Sequence, residues 1–468
     1  MINFKLIYLS VFCGIISILS FINIIYSYYF NLFLNLSSYV YSLIVSLFLA
    51  LLFYYTNNSK SKISIYEKIL TILLGYFLLP LIISIPFYFS IYDLTFINSY
   101  FESISGFTST GFTIFENIKH VDQSLILWRS SSQWIGGLYF LFSIILLIDI
   151  FDNSFKKSLT NFISFNKAET LKQSLKIFIL YSLITLSIFI ILNTFNIRTF
   201  NSLNLAMTII SSGGFLPTNS LSSIIISNSQ IIVFSLLMLT SFFSIFLSYN
   251  LIFFKNRNHN FFYEDLYLFF YLLTISIIFL LFLNFDINFI KIFLSLTSSI
   301  SNIGISLDDS PKNLSFIFLL LVIIGGSFFS TSSGIRFLKF YSLFRYSINE
   351  MLSYSKPKNI FKNKLLFSDI NFQEAEIYKY FLSIIIFIVS LLFLTSLLTI
   401  SGIDMEKAFK LSILTLMNTV NSSIHGLEEF NFNDLHFFTK YYLILFMIIG
   451  RIELLTLLII CKKFLFKS

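Results

Sequence analysis

The chain is short of charge. Asp, Glu, Lys and Arg make up 12% of its 468 residues, about half the share of a soluble globular protein, which excludes that class. Cysteine is scarce too: Cys13 and Cys461 stand in apolar segments near opposite ends and offer neither a disulfide framework nor metal-ligand spacing. The four histidines, His120, His259, His425 and His436, share no helix face at ligand spacing. No Gly-rich phosphate loop with its lysine is present, so the chain hydrolyses no nucleotide by itself. The short alternating segments of a membrane β-barrel are missing as well.

What the chain has instead is long apolar runs. Hydrophobic residues reach 56%, and they gather in stretches of about 18 to 25, each able to cross a hydrocarbon core of about 30 Å as a helix. The sequence therefore predicts an all-α integral membrane protein whose main partner is the lipid bilayer. The net charge of +8 does not point to nucleic acid, because the positive residues sit where membrane topology places them. No small-residue cleavage site follows the first apolar run, so a retained helix is expected rather than a signal peptide.

Two apolar segments, residues 6–30 and 36–55, come first. A unit then recurs four times: a long apolar helix, a short segment, a polar loop containing glycine, and a second long helix. In the first copy these are residues 66–90, 96–107, the loop Thr108-Ser109-Thr110-Gly111-Phe112-Thr113, and 125–150. The second has 171–195, 200–210, Ser211-Ser212-Gly213-Gly214-Phe215 and 231–254. The third has 266–285, 289–300 and Ser301-Asn302-Ile303-Gly304-Ile305. The fourth has 378–400, 405–417, a loop over 418–426 and a final helix over 438–464. The expected divisions are a leading helix pair at 1–58 and repeats at 59–155, 156–258, 259–355 and 356–468.

Charge gives the orientation. Lys156, Lys157, Lys167, Lys255, Arg257, Arg336, Lys339, Arg345, Lys356, Lys358, Lys362 and Lys364 follow the second helices, and Lys462, Lys463 and Lys467 close the chain. Such segments stay cytoplasmic. The opposite side carries Asp93, Glu102, Glu116, Asp122, Asp308, Asp309, Glu428, Glu429 and Asp434.

A segment of about ten to twelve residues cannot span the bilayer. It can dip in and return only where its irregular backbone lines water or protein. Four such loops around one axis would offer a ring of carbonyls to replace the hydration shell of a cation. Glycine permits the positive φ that turns successive carbonyls to one side, and each short helix would aim its partly negative C-terminal end at the ion. The competing reading is that the glycines merely turn extracellular loops, which four loops in register make the weaker one.

Several motifs carry a family resemblance. They are Ser105-Gly106-Phe107-Thr108-Ser109-Thr110-Gly111-Phe112-Thr113 followed by Trp128-Arg129-Ser130-Ser131-Ser132-Gln133-Trp134-Ile135-Gly136-Gly137; Ser211-Ser212-Gly213-Gly214-Phe215; Gly325-Gly326-Ser327 with Ser330-Thr331-Ser332-Ser333-Gly334-Ile335-Arg336; and Gly450-Arg451-Ile452-Glu453. From about Tyr66 onward the chain resembles the Trk/Ktr/HKT superfamily of potassium transporters, and its two leading helices fit the bacterial TrkH branch.

The resemblance implies that Gly111, Gly214 and Gly304 are selectivity-filter glycines whose neighbouring carbonyls bind K⁺. It further implies that residues 325–334 form an intramembrane loop gating the pore, and that Arg451 faces that pore. It also implies a homodimer, a cytosolic TrkA-type nucleotide-binding subunit that could dock near Lys156, Lys255 and Lys356, and a place in the inner membrane. No cofactor is expected; K⁺ is the transported ion. From the residues themselves, 325–334 is a poor helix former expected to unwind at a cavity, or else a close helix contact through small side chains. Arg451 in an apolar helix implies a role, or an ion pair with Glu453 or another acid.

The fourth loop departs from the pattern. Counting against Ser301-Asn302-Ile303-Gly304 gives Ser422-Ser423-Ile424-His425, with His425 where glycine is expected. Either Gly426 is the filter glycine with a one-residue offset, or His425 lines the outer mouth and titrates near neutral pH. Both weaken four-fold regularity, and with Gly213 and Ile303 they open the alternative of a less selective Na⁺/K⁺ pathway. A membrane-embedded enzyme using His425 or His436 with Glu428, Glu429 and Asp434 is the remote alternative.

Overall fold

The computed structural model describes residues 6–56, 65–147, 170–252, 263–282, 288–308, 312–354, 374–427 and 430–452. The basic linkers at Lys156, Lys255 and Lys356, the carboxylates of Asp309, Glu428, Glu429 and Glu453, and His259 and Cys461 lie outside them.

Two helices, α1 (Leu6–Tyr29) and α2 (Leu36–Tyr55), form the leading hairpin. Small hydroxyl residues bring them together: Ser20 and Ser42 are hydrogen-bonded at 3.1 Å in the buried seam, as membrane helices pack in the absence of a hydrophobic drive between them. The far face of α2 leaves Ile44, Phe48 and Leu51 exposed, a surface suited to lipid. Tyr39 ties α2 inward by donating its hydroxyl to Ser124 Oγ at 3.0 Å.

The four recurring units follow. The first comprises α3 (Ile65–Ile83), α4 (Ile85–Tyr88), the short α5 (Phe96–Phe107) and α6 (Gln123–Leu146). The next has α7 (Thr170–Thr194), the short α8 (Thr199–Ser211), α9 (Asn228–Phe242) and α10 (Ile245–Ile252). The third has α11 (Tyr263–Phe282), the short α12 (Phe289–Ile300), α13 (Ser315–Ile323), β1 (Ile324–Gly325), β2 (Ile335–Arg336) and α14 (Phe337–Ser353). The last has α15 (Glu374–Ile400), the short α16 (Met405–Leu416) and α17 (Phe437–Arg451). Among the described residues six helices are long and apolar enough to cross a membrane: α1, α2, α3 with its extension α4, α7, α11 and α15.

The second helices of the units differ from the uniform spans expected. Helix α6 is interior throughout, with every residue after Gln123 buried. The helix expected over 231–254 breaks at Phe243, whose ψ of 166° is extended. The Asp265 carboxylate takes over there, accepting from Ser244 N at 2.9 Å and Ser244 Oγ at 2.7 Å. In the third unit the chain unwinds after Ile323, and β1 and β2 pair in parallel to pinch off the loop between them.

Candidate ion pathway

Each short helix hands its chain to a loop of one backbone design. One or two residues past each helix the chain turns left-handed: φ is 59° at Ser109, 56° at Ser212, 58° at Asn302 and 47° at Asn418. The next amide then reaches back to the helix, with Thr110 N to Ser105 O at 2.9 Å, Gly213 N to Thr208 O at 2.8 Å, Ile303 N to Ser298 O at 3.1 Å and Thr419 N to Leu414 O at 2.9 Å. In three loops a helix hydroxyl closes the turn. Ser105, Thr208 and Ser298 donate to Phe112 O at 2.6 Å, Phe215 O at 3.0 Å and Ile305 O at 2.7 Å. The fourth loop has Leu414 at that place and lacks the hydroxyl.

These contacts fix the register, and they correct the fourth loop. Asn418, Thr419 and Val420 stand level with Ser109, Thr110 and Gly111, so Val420 takes the glycine position. The count that placed Ser422, Ser423, Ile424, His425 and Gly426 there misses because the fourth loop is longer beyond that point. Ser423–His425 form a 3-10 turn closed by Gly426 at φ 70°. His425 is buried and does not line the mouth; in this loop, outside the spanning helices, burial pushes its imidazole well below the ordinary range. The backbone also explains how a valine is tolerated. Gly111 and Gly304 have φ of 80° and 76°, whereas Gly214 and Val420 are not left-handed. Only two of the four positions demand glycine's freedom.

The loops close into a ring. Loops one and two abut so tightly that a Cβ at Gly111 would lie 2.8 Å from Gly214 Cα. Ser212 Oγ donates to Ser301 O, joining two and three. Asn302 Nδ2 donates to Thr419 Oγ1 at 3.3 Å, joining three and four. Asn418 Nδ2 donates to Thr110 Oγ1 at 3.0 Å, joining four and one. Above the ring opens a cavity of about 650 Å³ with Gly111, Gly214 and Val420 at its base and Glu116, Asp308 and Asn421 among its lining residues.

Beneath the ring lies Arg451, 1% exposed. Its Nη2 donates to Ser109 Oγ at 3.4 Å and Ser211 O at 3.5 Å, its Nη1 donates to Ser333 Oγ, and its guanidinium covers the Phe140 ring at 4.2 Å. The partners recorded among the described residues are thus hydroxyls, a carbonyl and an aromatic face, and Glu453 lies outside those residues.

The segment 326–333 is buried against the same region. Thr331 Oγ1 donates to Ile210 O at 2.8 Å, at the end of α8. Arg336 Nη1 gathers the segment by donating to Ser327 O at 3.0 Å, Ser330 Oγ at 3.2 Å and Ser332 O at 3.1 Å. Gly334 sits at φ 81° where the chain returns to β2. A carboxylate holds the outer turn: Glu264 Oε1 accepts from Phe328 N at 2.9 Å and Oε2 from Ser327 Oγ at 3.3 Å.

Sequence reading missed four side chains here. Glu264 and Asp265 stand in the first turn of α11, where acids are ordinary and the sequence gives no signal of their contacts. Glu102, assigned to the acidic outer face, is fully buried and pairs with buried Arg129, Nε to Oε1 at 2.8 Å.

The class of molecule is therefore a multi-pass helical membrane protein with four inserted loops closed in a ring and a buried loop below it. A family model described as a cation transport protein, TrkH, matches residues 304–466. An uncharacterized cation transporter of Methanocaldococcus jannaschii is 24% identical over 97% of this chain and 94% of its own length. The Trk system potassium uptake protein TrkH of Escherichia coli is 24% identical over 88% of each chain. The crystal structure of the potassium transporter TrkH from Vibrio parahaemolyticus superposes with a TM-score of 0.81 over 97% of each chain, at 18% identity. The resemblance to the Trk superfamily, and to its TrkH branch, is borne out. These relatives are transporters, and the enzyme alternative falls with that; among the described residues no group of three His, Cys, Asp or Glu could hold a metal.

Proposed function

We propose that the chain carries potassium ions across the cytoplasmic (inner) membrane through the ring of four loops, with the 325–334 loop as the gate below it. The closed ring is the observation that supports this reading most. Thr108, Ser109, Thr110 and Gly111, Ser211 to Gly214, and Ser301 to Gly304 would offer carbonyl and hydroxyl oxygens to a dehydrating cation, with Asn418, Thr419 and Val420 as the fourth side. Relatives named as potassium uptake proteins support K⁺ as the ion. Under this reading residues 59–155, 156–258, 259–355 and 356–468 are the pore repeats, 1–58 the added helix pair, and the basic linkers and C-terminus face the cytoplasm. A homodimer with a TrkA-type nucleotide-binding subunit on those linkers completes it. The gate comprises Gly325, Gly326, Ser330, Thr331 and Gly334, with Arg451 as an electrostatic barrier above it.

A second reading has two observations in its favour. Val420 at a glycine position, and glycines of two conformations in the ring, suit a filter that passes some Na⁺ with K⁺.

Rubidium uptake in cells lacking their own K⁺ uptake systems tests the proposal, with sodium uptake separating the two readings. Uptake above background that K⁺ outcompetes is expected; its absence, with the protein in the membrane, sinks the potassium reading. Deleting Ser327 to Ser332 should raise conduction and blunt control by a regulatory subunit. Parental conduction under full control would return that loop to a packing role.

A further inference from the structure

Arg129 itself is part of neither the ring nor the gate. It lies in α6, buried, against Glu102 of α5. The pair grips the chain just beyond Gly111. Glu102 Oε2 accepts from Ile114 N at 2.9 Å, Oε1 accepts from Thr113 Oγ1 at 3.0 Å, and Arg129 Nη2 donates to Thr113 Oγ1 at 2.9 Å. The same guanidinium lies 4.2 Å from the centre of the Phe215 ring, next to Gly214. One turn further along α6, Gln133 serves the second loop. With its amide oriented to satisfy both ends, its oxygen accepts from Gly214 N at 3.1 Å and Phe215 N at 3.0 Å, and its nitrogen donates to Thr208 Oγ1 at 3.3 Å.

Packing alone does not call for charges here. The positions matching Glu102 in the other three short helices are Leu205, Ser295 and Leu411, all buried, and a buried ion pair is often no more stable than apolar residues of similar volume. What the pair adds is direction: three charge-assisted contacts fix where the chain leaves Gly111, and an aromatic one holds Phe215 beside Gly214. The carboxylate also neutralises a cation that borders the outer cavity. We propose that Glu102, Arg129 and Gln133 are positioning residues that set ion selectivity by holding the first and second loops in register from behind. This rests on the reading of the ring as a filter.

The test is the rubidium-to-sodium uptake ratio, at matched membrane amounts, for Glu102→Gln, Arg129→Lys, the double variant Glu102→Gln/Arg129→Gln, and Gly111→Ser. Each of the first two should lower the ratio about tenfold, the scale of one lost hydrogen bond to a charged group. The double variant, which leaves no unpaired charge, should accumulate normally and still show a lowered ratio. A parental ratio in the double variant, or in both single ones, while Gly111→Ser shifts it, assigns the pair to folding and overturns the inference. A parental ratio in Gly111→Ser as well removes the filter reading beneath it.

Discussion

In the first loop the turn has every local aid: a glycine at φ 80°, a Ser105 hydroxyl on the Phe112 carbonyl, and an ion pair behind it. The fourth loop has none of these. Val420 replaces the glycine, Leu414 replaces the hydroxyl, and its hold is the Asn418 amide, which donates to Thr110 Oγ1 at 3.0 Å and Met447 O at 2.9 Å. Yet the two follow the same path out of their helices. The path is thus set by the helix end and the neighbouring loops, and each repeat's side chains decide only how firmly it is kept. A ring built this way can be nearly four-fold in backbone and one-sided in stiffness.

Variants can break or sharpen that contrast. The largest effect is expected at the stiff side. Gly111→Ser places a side chain in a left-handed conformation that costs about 1–2 kcal/mol, with its Cβ directed 2.8 Å from Gly214 Cα. Rubidium uptake should fall by about tenfold or more; unchanged uptake at equal expression would take Gly111 out of the ion path. Next comes Arg451→Gln, which removes a positive charge bonded to Ser109 and Ser211. Flux should rise by roughly fivefold if the charge is a barrier, whereas failure to accumulate in the membrane would favour a structural ion pair. Smaller again is Val420→Gly. Its backbone is already of an ordinary kind, so removing the side chain opens the ring without strain, and uptake should rise about twofold. A loss of uptake instead would mean that the valine props the second and third loops apart. The smallest is Ser105→Ala, which makes the first loop resemble the fourth in one respect. It leaves the Phe112 carbonyl without its hydroxyl and should cost about 1 kcal/mol, read as a lower thermal midpoint of the detergent-solubilised protein with ion preference intact. A change in preference would show that the hydroxyl shapes the path itself.

The membrane class, the two leading helices and the four short helices were legible because apolar length and polar interruption are properties of the chain alone. The first three loops were legible for the same reason, since glycine and hydroxyl residues recur at fixed distances after each short helix. The fourth was misread by five or six residues. A glycine was sought at Gly426 or its neighbour His425, but the ring asks for left-handed φ at only two of four positions, and no local pattern announces which. The break at Phe243 was equally hidden: the partners that take up its backbone groups, Asp265 and the 327–332 loop, lie some twenty to ninety residues on. Glu102 read as an outer-face acid because its partner lies on another helix, 27 residues away. Pairings across helices are where a one-dimensional reading ends.

Helix α6 has a consequence for how the molecule is made. Its 24 residues include Arg129, Gln133 and a run of serines, and it is absent from the six helices apolar enough to cross a membrane. Arg129 in its second turn, with Gln133 and the serines after it, lowers what α6 gains by entering lipid alone. Glu102 comes earlier in the chain, on α5, and α3 and α4 precede it. Inserted in chain order, they offer α6 a protein wall and a counter-charge. Assembly of the first repeat is then a matter of order, with the short α5 in place as host for the helix that follows.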